Sequence, residues 1–268
     1  MKQQKLHFQR FEFKYVLTQE ECAEIKQILK RYMVPDQAVR DTLDGSYEVM
    51  SLYYDSPRFY YFWEKIDGVS RRKKVRLRTY RKNGSLGEQV FFEIKRKHDA
   101  VILKDRFPLT EDAYRTLTEN GNFYGVESLE NGNTKRVIDE FHMDRGRHML
   151  APKLLVVYNR EPYLGRYNKH LRITFDYEIR ARSGDNLLYT GSDYNDVSGA
   201  NVIMELKFQG MLPFYVADVI RQFELTRVPY SKYCEGLEAS YGLPQLSVLG
   251  GHSQSDTLKL TRNNLLPL

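Results

Sequence analysis

The chain has 268 residues, with 41 Lys and Arg against 35 Asp and Glu and a formal net charge of +6. This length suffices for one large domain, and the charge excess is too small to indicate an anionic partner by itself. The two cysteines, Cys22 and Cys234, belong to no Cys/His cluster, which excludes a disulfide framework or zinc site and favours the reducing cytoplasm. No signal peptide is visible and the apolar run 154–158 is too short for a bilayer, so we expect no membrane insertion by this chain.

The hydrophobic pattern predicts a helix first. Thr18 and Glu21 form a capping box before apolar residues at helical spacing, and we expect this helix to continue until Pro35 ends it. Strands are predicted at 49–54, 73–80, 89–97, 102–107, 153–163, 170–182 and 201–208. Further helices are predicted at 110–119, 135–143, 213–225 and 231–241. We expect one domain over 1–242, and a tail or docking segment over 243–268.

Charged side chains recur at every second residue of the predicted strands, so they share one face while apolar residues share the other. Lys74, Arg76 and Arg78 form the clearest run, and such like charges repel one another unless an anion is bound. Alternation in a single strand is typical of a sheet with one solvated face. Its recurrence in six strands favours an α+β fold, a closed antiparallel β-barrel with a charged lumen and with helices packed on its outside. The other charged sets are Arg10, Glu12 and Lys14; Glu93, Lys95 and Lys97; Lys104 and Arg106; the even positions from Arg172 to Arg182; and Glu205 and Lys207.

The order and spacing of these motifs resemble the VTC domain, the polyphosphate polymerase domain of the triphosphate tunnel metalloenzyme (CYTH-like) superfamily. The resemblance covers roughly residues 8–240; each motif alone is weak, whereas the ordered set is specific. It implies an antiparallel tunnel of about eight strands. The matching stretches are RFEFKY at 10–15, SLYYD at 51–55, VRLRTY at 75–80, FFEIK at 91–95, KDR at 104–106, YNR at 158–160, LRITFD at 171–176, MELK at 204–207 and SKYCEG at 231–236.

Two departures from the family pattern bear on activity. The first strand of the superfamily commonly reads Glu-x-Glu-x-Lys, whereas this chain has Arg10, Glu12 and Lys14. A hydrolase needs several carboxylates to hold metals and orient water, so the loss of one favours the polymerase branch. Fungal relatives tend to have a basic residue just before the Ser-Lys pair, where this chain has Pro229 and Tyr230. Fewer charges at this mouth favour phosphate binding over efficient chain elongation.

The resemblance also implies roles for individual residues, since Arg binds phosphate oxygens through a planar fork and Lys acts as a point charge. The implied catalytic residues are Arg76, Arg78, Lys95, Arg160 and Arg172. The implied substrate-binding residues are Lys14, Lys104, Arg106, Tyr158, Lys207, Ser231 and Lys232. Glu205, helped by Glu12, is the implied ligand of Mn²⁺ or Mg²⁺, since one or two carboxylates with phosphate oxygens and water suffice for these ions. Alternatively, Glu205 pairs with a lumen cation, Tyr158 packs in the core and Ser231 caps a helix.

The implied function is metal-dependent transfer of the γ-phosphoryl group of ATP to a polyphosphate chain. Two alternatives remain open: a non-catalytic binder of polyphosphate or inositol phosphates, and a metal-dependent tunnel triphosphatase. The expected partners are ATP and polyphosphate or another polyanionic phosphate, and a membrane-protein partner is left open. Nucleic acid is excluded because a duplex cannot reach charges that point inward.

Overall fold

The computed structural model describes residues 10–87, 89–99, 101–126, 129 and 132–243. The strands are β1 (Arg10–Leu17), β2 (Met33–Pro35), β3 (Tyr47–Asp55), β4 (Arg71–Lys82), β5 (Ser85–Leu86), β6 (Val90–His98), β7 (Val101–Leu109), β8 (Ala151–Gly165), β9 (Arg172–Ser183), β10 (Asn195–Asp196) and β11 (Val202–Gln209). The helices are α1 (Gln19–Leu29), α2 (Tyr60–Ile66), α3 (Glu111–Asn120), α4 (Gly132–His148), α5 (Phe214–Gln222) and α6 (Lys232–Tyr241), with a 3-10 turn at Gln37–Val39. None of these helices combines the length and the apolar composition that crossing a membrane requires.

Local sequence signals account for most of these elements. The capping box is formed: the Thr18 hydroxyl accepts from the Glu21 amide at 3.1 Å, and the Glu21 carboxylate accepts from the Thr18 amide at 2.8 Å. The helix ends at Leu29, however, and Pro35 lies in β2, so its predicted end is wrong. The sequence pattern missed α2 because its four aromatic residues, 60–63, are typical of strands.

The sheet is antiparallel in each pair with a defined register, and its order is β1-β11-β9-β8-β3-β4-β6-β7. No ladder joins β1 to β7 in the described residues, so the prediction of a closed barrel is wrong. The reason is that alternation of charged and apolar residues is the same in an open sheet and in a barrel. The α+β class and the run of eight antiparallel strands are confirmed.

The described residues divide into two compact units. The first comprises 10–48, 158–179 and 196–231, and the second comprises the described parts of 49–157, 180–195 and 232–243. The single domain over 1–242 stays a prediction. The predicted tail lies outside the described residues from 244 onward.

In the first unit, α1 and α5 pack on the apolar face of β1, β11 and β9. Ile25 and Val219 of the helices share a buried cluster with Tyr15, Leu206 and Ile173 of the strands. The opposite face carries Lys14, Glu205 and Thr174 in register.

In the second unit, α3 and α4 cover the apolar face of β4 and β6. Leu117 and Phe141 of the helices join Leu77, Phe92 and Ile94 in one buried cluster. These four helices therefore pack on the apolar face of the strands, as predicted, which leaves the charged side chains on the other face. Helix α6 is an exception, because its Tyr233 lies against Tyr53 and Lys74.

One strand departs from the predicted alternation. Glu178 of β9 has a left-handed backbone with φ of 49°, which shifts the period of the strand. Beyond it, Arg180 and Arg182 lie over the rings of Tyr194 and Tyr189, which pack on the core of the second unit. The prediction that these two arginines share the charged face with Asp176 is therefore wrong.

Candidate functional site

Two rows of charged residues cross β4, β6 and β7 in the second unit. In the strand register, Arg76 lies opposite Glu93 and Glu93 lies opposite Arg106. In the adjacent row, Lys74 lies opposite Lys95 and Lys95 lies opposite Lys104. Because side chains two residues apart share a face, both rows lie on the face away from the α3 and α4 core. We call this surface the basic face; its charged residues are Arg72, Lys74, Arg76 and Arg78 of β4, Glu93, Lys95 and Lys97 of β6, and Lys104 and Arg106 of β7.

Glu93 is the centre of the basic face. Its carboxylate is 1% exposed and accepts hydrogen bonds from Arg76 Nε at 2.7 Å and from Lys104 Nζ at 2.7 Å. Arg106 Nε lies 3.4 Å from the same carboxylate. Although burial opposes ionisation, the charges of Arg76, Arg78 and Lys104 hold the pKa of Glu93 well below its usual range. One carboxylate therefore organises three cations that would otherwise repel one another.

The neighbouring strand β3 adds hydroxyl groups to the basic face. The Tyr53 hydroxyl accepts from Arg76 NH1 at 2.9 Å, and Ser51 Oγ accepts from Arg78 Nε at 3.0 Å. Helix α6 contributes Tyr233, whose ring centroid lies 4.8 Å from that of Tyr53 and 5.2 Å from Lys74 Nζ. These contacts restrict the guanidinium groups to defined positions.

Two groups of the basic face titrate close to neutral pH. Burial alone would raise the pKa of Tyr53, but the charges of Arg76, Arg78 and Lys74 lower it to about 7. Burial, together with the like charges of Arg76 and Arg78, lowers the pKa of Lys104 to about 8 despite its contact with Glu93. The positive charge of this surface therefore depends on pH.

We expect the affinity for tripolyphosphate to fall as pH rises above 7. Tyr53 gains a negative charge near pH 7 and Lys104 loses its positive charge near pH 8, so both changes weaken anion binding. Titration calorimetry between pH 7 and pH 9.5, corrected for the last ionisation of tripolyphosphate in this range, should show a decrease of about tenfold or more, because each linked proton changes the binding constant by up to about tenfold per pH unit. A constant affinity over this range would contradict the expectation.

The first unit holds a second charged cluster. Arg160 donates to Asp176 through Nε at 2.6 Å and NH2 at 2.8 Å, and Asp176 is fully buried. The same NH2 lies 3.4 Å from Glu205, which is also 2.7 Å from Lys207 Nζ. Arg160 is thus held in a bidentate ion pair, the strongest form of charged hydrogen bond.

The remaining predicted residues of the first unit lie nearby along the strands. Lys14 Nζ donates to the Tyr230 carbonyl at 2.9 Å and lies 3.7 Å from Glu12. Arg172 pairs with Asp36 at 3.2 Å. Tyr158 is buried, with the Arg160 guanidinium 5.2 Å from its ring, and Ser231 is buried directly before α6.

The structure therefore sorts the predicted site residues into two groups. The second unit holds Arg76, Arg78, Lys95, Lys104, Arg106 and Lys232, and Lys232 is buried at the start of α6. The first unit holds Lys14, Arg160, Arg172, Lys207, Tyr158, Ser231, Glu12 and Glu205. Their roles in binding or catalysis stay predictions.

The predicted metal ligands have suitable chemistry but do not form a cage of protein ligands. Glu12 is opposite Lys207, and Glu205 is two residues before Lys207, so the two carboxylates are diagonal neighbours on one face. Among the described residues, no group of three or more His, Cys, Asp or Glu side chains could hold a metal ion. This set fits an ion such as Mg²⁺ that takes one or two carboxylates and completes its shell with phosphate oxygens and water. Glu205 also contacts Lys207 and Arg160, as expected if its role is to pair with these cations rather than to bind a metal.

Sequence reasoning assigned no site role to Glu93, Tyr53 or Asp176. Glu93 was visible as the one acid among the alternating cations that form the basic face, but its importance depends on register. Tyr53 lies in a run of mostly apolar residues. It lies beside the arginines because it shares one face of β3 with Ser51, two residues earlier.

A sequence model described as the VTC domain matches residues 9–241. No protein of curated function shows significant similarity to the chain. Among solved structures, an adenylate cyclase candidate from Bacillus halodurans has a TM-score of 0.48 and 13% identity, covering 83% of this chain and 95% of that one. The PH1819 protein of Pyrococcus horikoshii has a TM-score of 0.41 and 16% identity, covering 84% and 97%. HpAC1 of Hippeastrum, reported with a dominant triphosphatase activity, has a TM-score of 0.46 and 13% identity, covering 85% and 95%.

Proposed function

The chain belongs to the VTC domain family, and from this premise we propose that it is a polyphosphate polymerase that binds phosphate groups on its basic face and transfers the γ-phosphoryl group of ATP to a polyphosphate chain. The observation that carries the proposal is the basic face itself, where cations of three neighbouring strands surround the buried Glu93. A surface of this charge is costly to maintain without an anionic ligand, since like charges on facing strands repel.

Phosphoryl transfer requires mainly positioning and neutralisation of charge on the transferred group. Arg76 and Arg78 supply planar forks, each already held by a hydroxyl group, while Lys95 and Lys104 supply point charges in the adjacent row. Donors that are oriented in advance need not reorganise during the reaction, which is the main source of electrostatic catalysis. In the first unit, Glu205 with Glu12 would hold Mn²⁺ or Mg²⁺, which would neutralise charge on the phosphate oxygens that it binds.

The proposal is tested by incubating the purified protein with ATP and Mn²⁺ and resolving the products on a gel, beside an active polyphosphate polymerase. We expect a phosphate polymer and an equivalent release of ADP. No polymer and no ADP, under conditions in which the reference enzyme is active, would overturn the proposal.

A non-catalytic role in binding polyphosphate or inositol phosphates is the second candidate. Two observations favour it. Glu205, the main carboxylate expected to bind metal, is already engaged by Lys207 and Arg160. Pro229 also occupies a position at which fungal relatives tend to have a basic residue. Tight binding of tripolyphosphate by calorimetry without ADP release from ATP would support this role. Orthophosphate release from tripolyphosphate that is lost in Glu205→Ala would instead identify a triphosphatase.

A further inference from the structure

Arg76 is held at both ends of its guanidinium group. Nε donates to Glu93 at 2.7 Å and NH2 lies 2.6 Å from the same carboxylate oxygen, while NH1 donates to the Tyr53 hydroxyl at 2.9 Å. The Arg76 side chain is 17% exposed, whereas Glu93 is 1% exposed. The group therefore reaches the surface in an orientation set by two buried partners from the strands on either side of β4.

We propose that Tyr53 and Glu93 are positioning residues that together hold Arg76 in the orientation in which it meets a phosphate group. The inference rests on the proposed function and names two residues on which turnover at the basic face depends. Neither acts on the substrate directly, since each acts through the guanidinium group that it holds.

The surroundings of Tyr53 suit this role. Strand β4 presents Lys74, Arg76 and Arg78 to its hydroxyl group, and α6 presents Tyr233 to its ring. On its own strand, Asp55 is engaged by the Tyr233 hydroxyl and by the amides of Tyr61 and Phe62. Titration of Tyr53 near pH 7 therefore changes the charge next to Arg76.

The surroundings of Glu93 explain why it is an acid on a surface of cations. It lies between Arg76 and Arg106 in the strand register, and it also receives Lys104 from the neighbouring row. Its negative charge repels a phosphate ligand, but its hydrogen bonds and ion pairs hold these cations in fixed positions. Replacing it should therefore move affinity and turnover in opposite directions, which loss of packing alone would not do.

The test compares Tyr53→Phe and Glu93→Gln with two matched controls away from the basic face, one on the opposite face of β3 and one on α4. Tyr54→Phe alters a tyrosine that packs on Phe141, and Glu140→Gln alters a carboxylate that binds Arg96 and Lys73. The readouts are the dissociation constant for tripolyphosphate by calorimetry and the kcat and KM for ATP.

We expect Glu93→Gln to bind tripolyphosphate about threefold or more tightly and to lower kcat by about tenfold or more, which is less than the roughly 10²–10³-fold cost of removing an electrostatic catalytic group itself. Tyr53→Phe should lower kcat by about tenfold with little change in affinity at pH 6.5. In Tyr53→Phe, the affinity for tripolyphosphate should begin to fall only near pH 8, where Lys104 loses its positive charge. The wild-type affinity should begin to fall near pH 7, where Tyr53 ionises.

Each result decides between distinct conclusions. If both variants match their controls in kcat, affinity and pH profile while the wild-type protein binds tripolyphosphate, the positioning role is overturned and the proposed binding stands. If Glu93→Gln weakens affinity and turnover together, its role is structural and the inference fails. If the wild-type protein neither binds tripolyphosphate nor turns over ATP, the proposed function fails. If it binds without turnover, the shift of the pH profile in Tyr53→Phe and the tighter binding of Glu93→Gln still decide the inference.

Discussion

Replacing Arg76 with alanine is expected to weaken tripolyphosphate binding by about 10- to 100-fold, which corresponds to the roughly 1.5–3 kcal/mol of a hydrogen bond to a charged group. Arg76 is the donor that Glu93 and Tyr53 hold at the surface, so its loss removes the best-oriented group of the basic face. Calorimetry at pH 7 and low ionic strength measures the change, since salt screens such contacts.

The matched control is Arg115→Ala, which removes the same charge from α3 at an exposed pair with Asp112. We expect this control to change the affinity by less than about twofold, because an exposed charge away from the site contributes little. Glu93 keeps Lys104 and Arg106 as partners in Arg76→Ala, so the variant should fold, and circular dichroism checks this. A folded Arg76→Ala protein with wild-type affinity would remove Arg76 from the site.

Replacing Arg160 with alanine is expected to lower the free energy of unfolding by about 3–5 kcal/mol. The change leaves Asp176, which is fully buried, without its bidentate partner and takes one cation from Glu205. A buried carboxylate without a partner is far more costly than the intact pair. Urea unfolding at pH 7 measures the loss.

The control for this prediction is Arg221→Ala on α5, where the arginine forms an exposed pair with Asp218. Its unfolding free energy should stay within about 0.5 kcal/mol of wild type. If Arg160→Ala changes the unfolding free energy as little as this control does, the buried pair does not stabilise the unit. A role of Arg160 in binding phosphate would then explain its presence better.

Much of the fold was predictable from local patterns. The capping box of Thr18, the period-two alternation in β4 and the amphipathic face of α5 each depend on residues close in the chain, and each is present. The aromatic run of α2 was not predictable in this way, because tertiary contacts hold it as a helix: the Tyr61 hydroxyl donates to the carboxylate of Asp144 on α4 at 2.9 Å.

The candidate site was predictable in its residue types but only partly in its arrangement. Alternation placed Lys74, Arg76 and Arg78 on one face because the side-chain period of a strand is two. It could not show that Arg76 lies opposite Glu93 or that Lys95 lies between two lysines, since register follows from turns and from packing of the buried face.

The amino-acid sequence alone thus predicts that each strand of the basic face carries cations on one side, where an anion could bind, because composition and strand geometry are local properties. The tertiary structure accounts for Glu93 at its centre, for Tyr53 beside Arg76 and for the bidentate pair of Arg160 with Asp176. It also accounts for the sheet being open between β1 and β7 in the described residues. These features join residues distant in the chain, so they depend on which strands pair and in which register, and alternation within a strand carries no information about either.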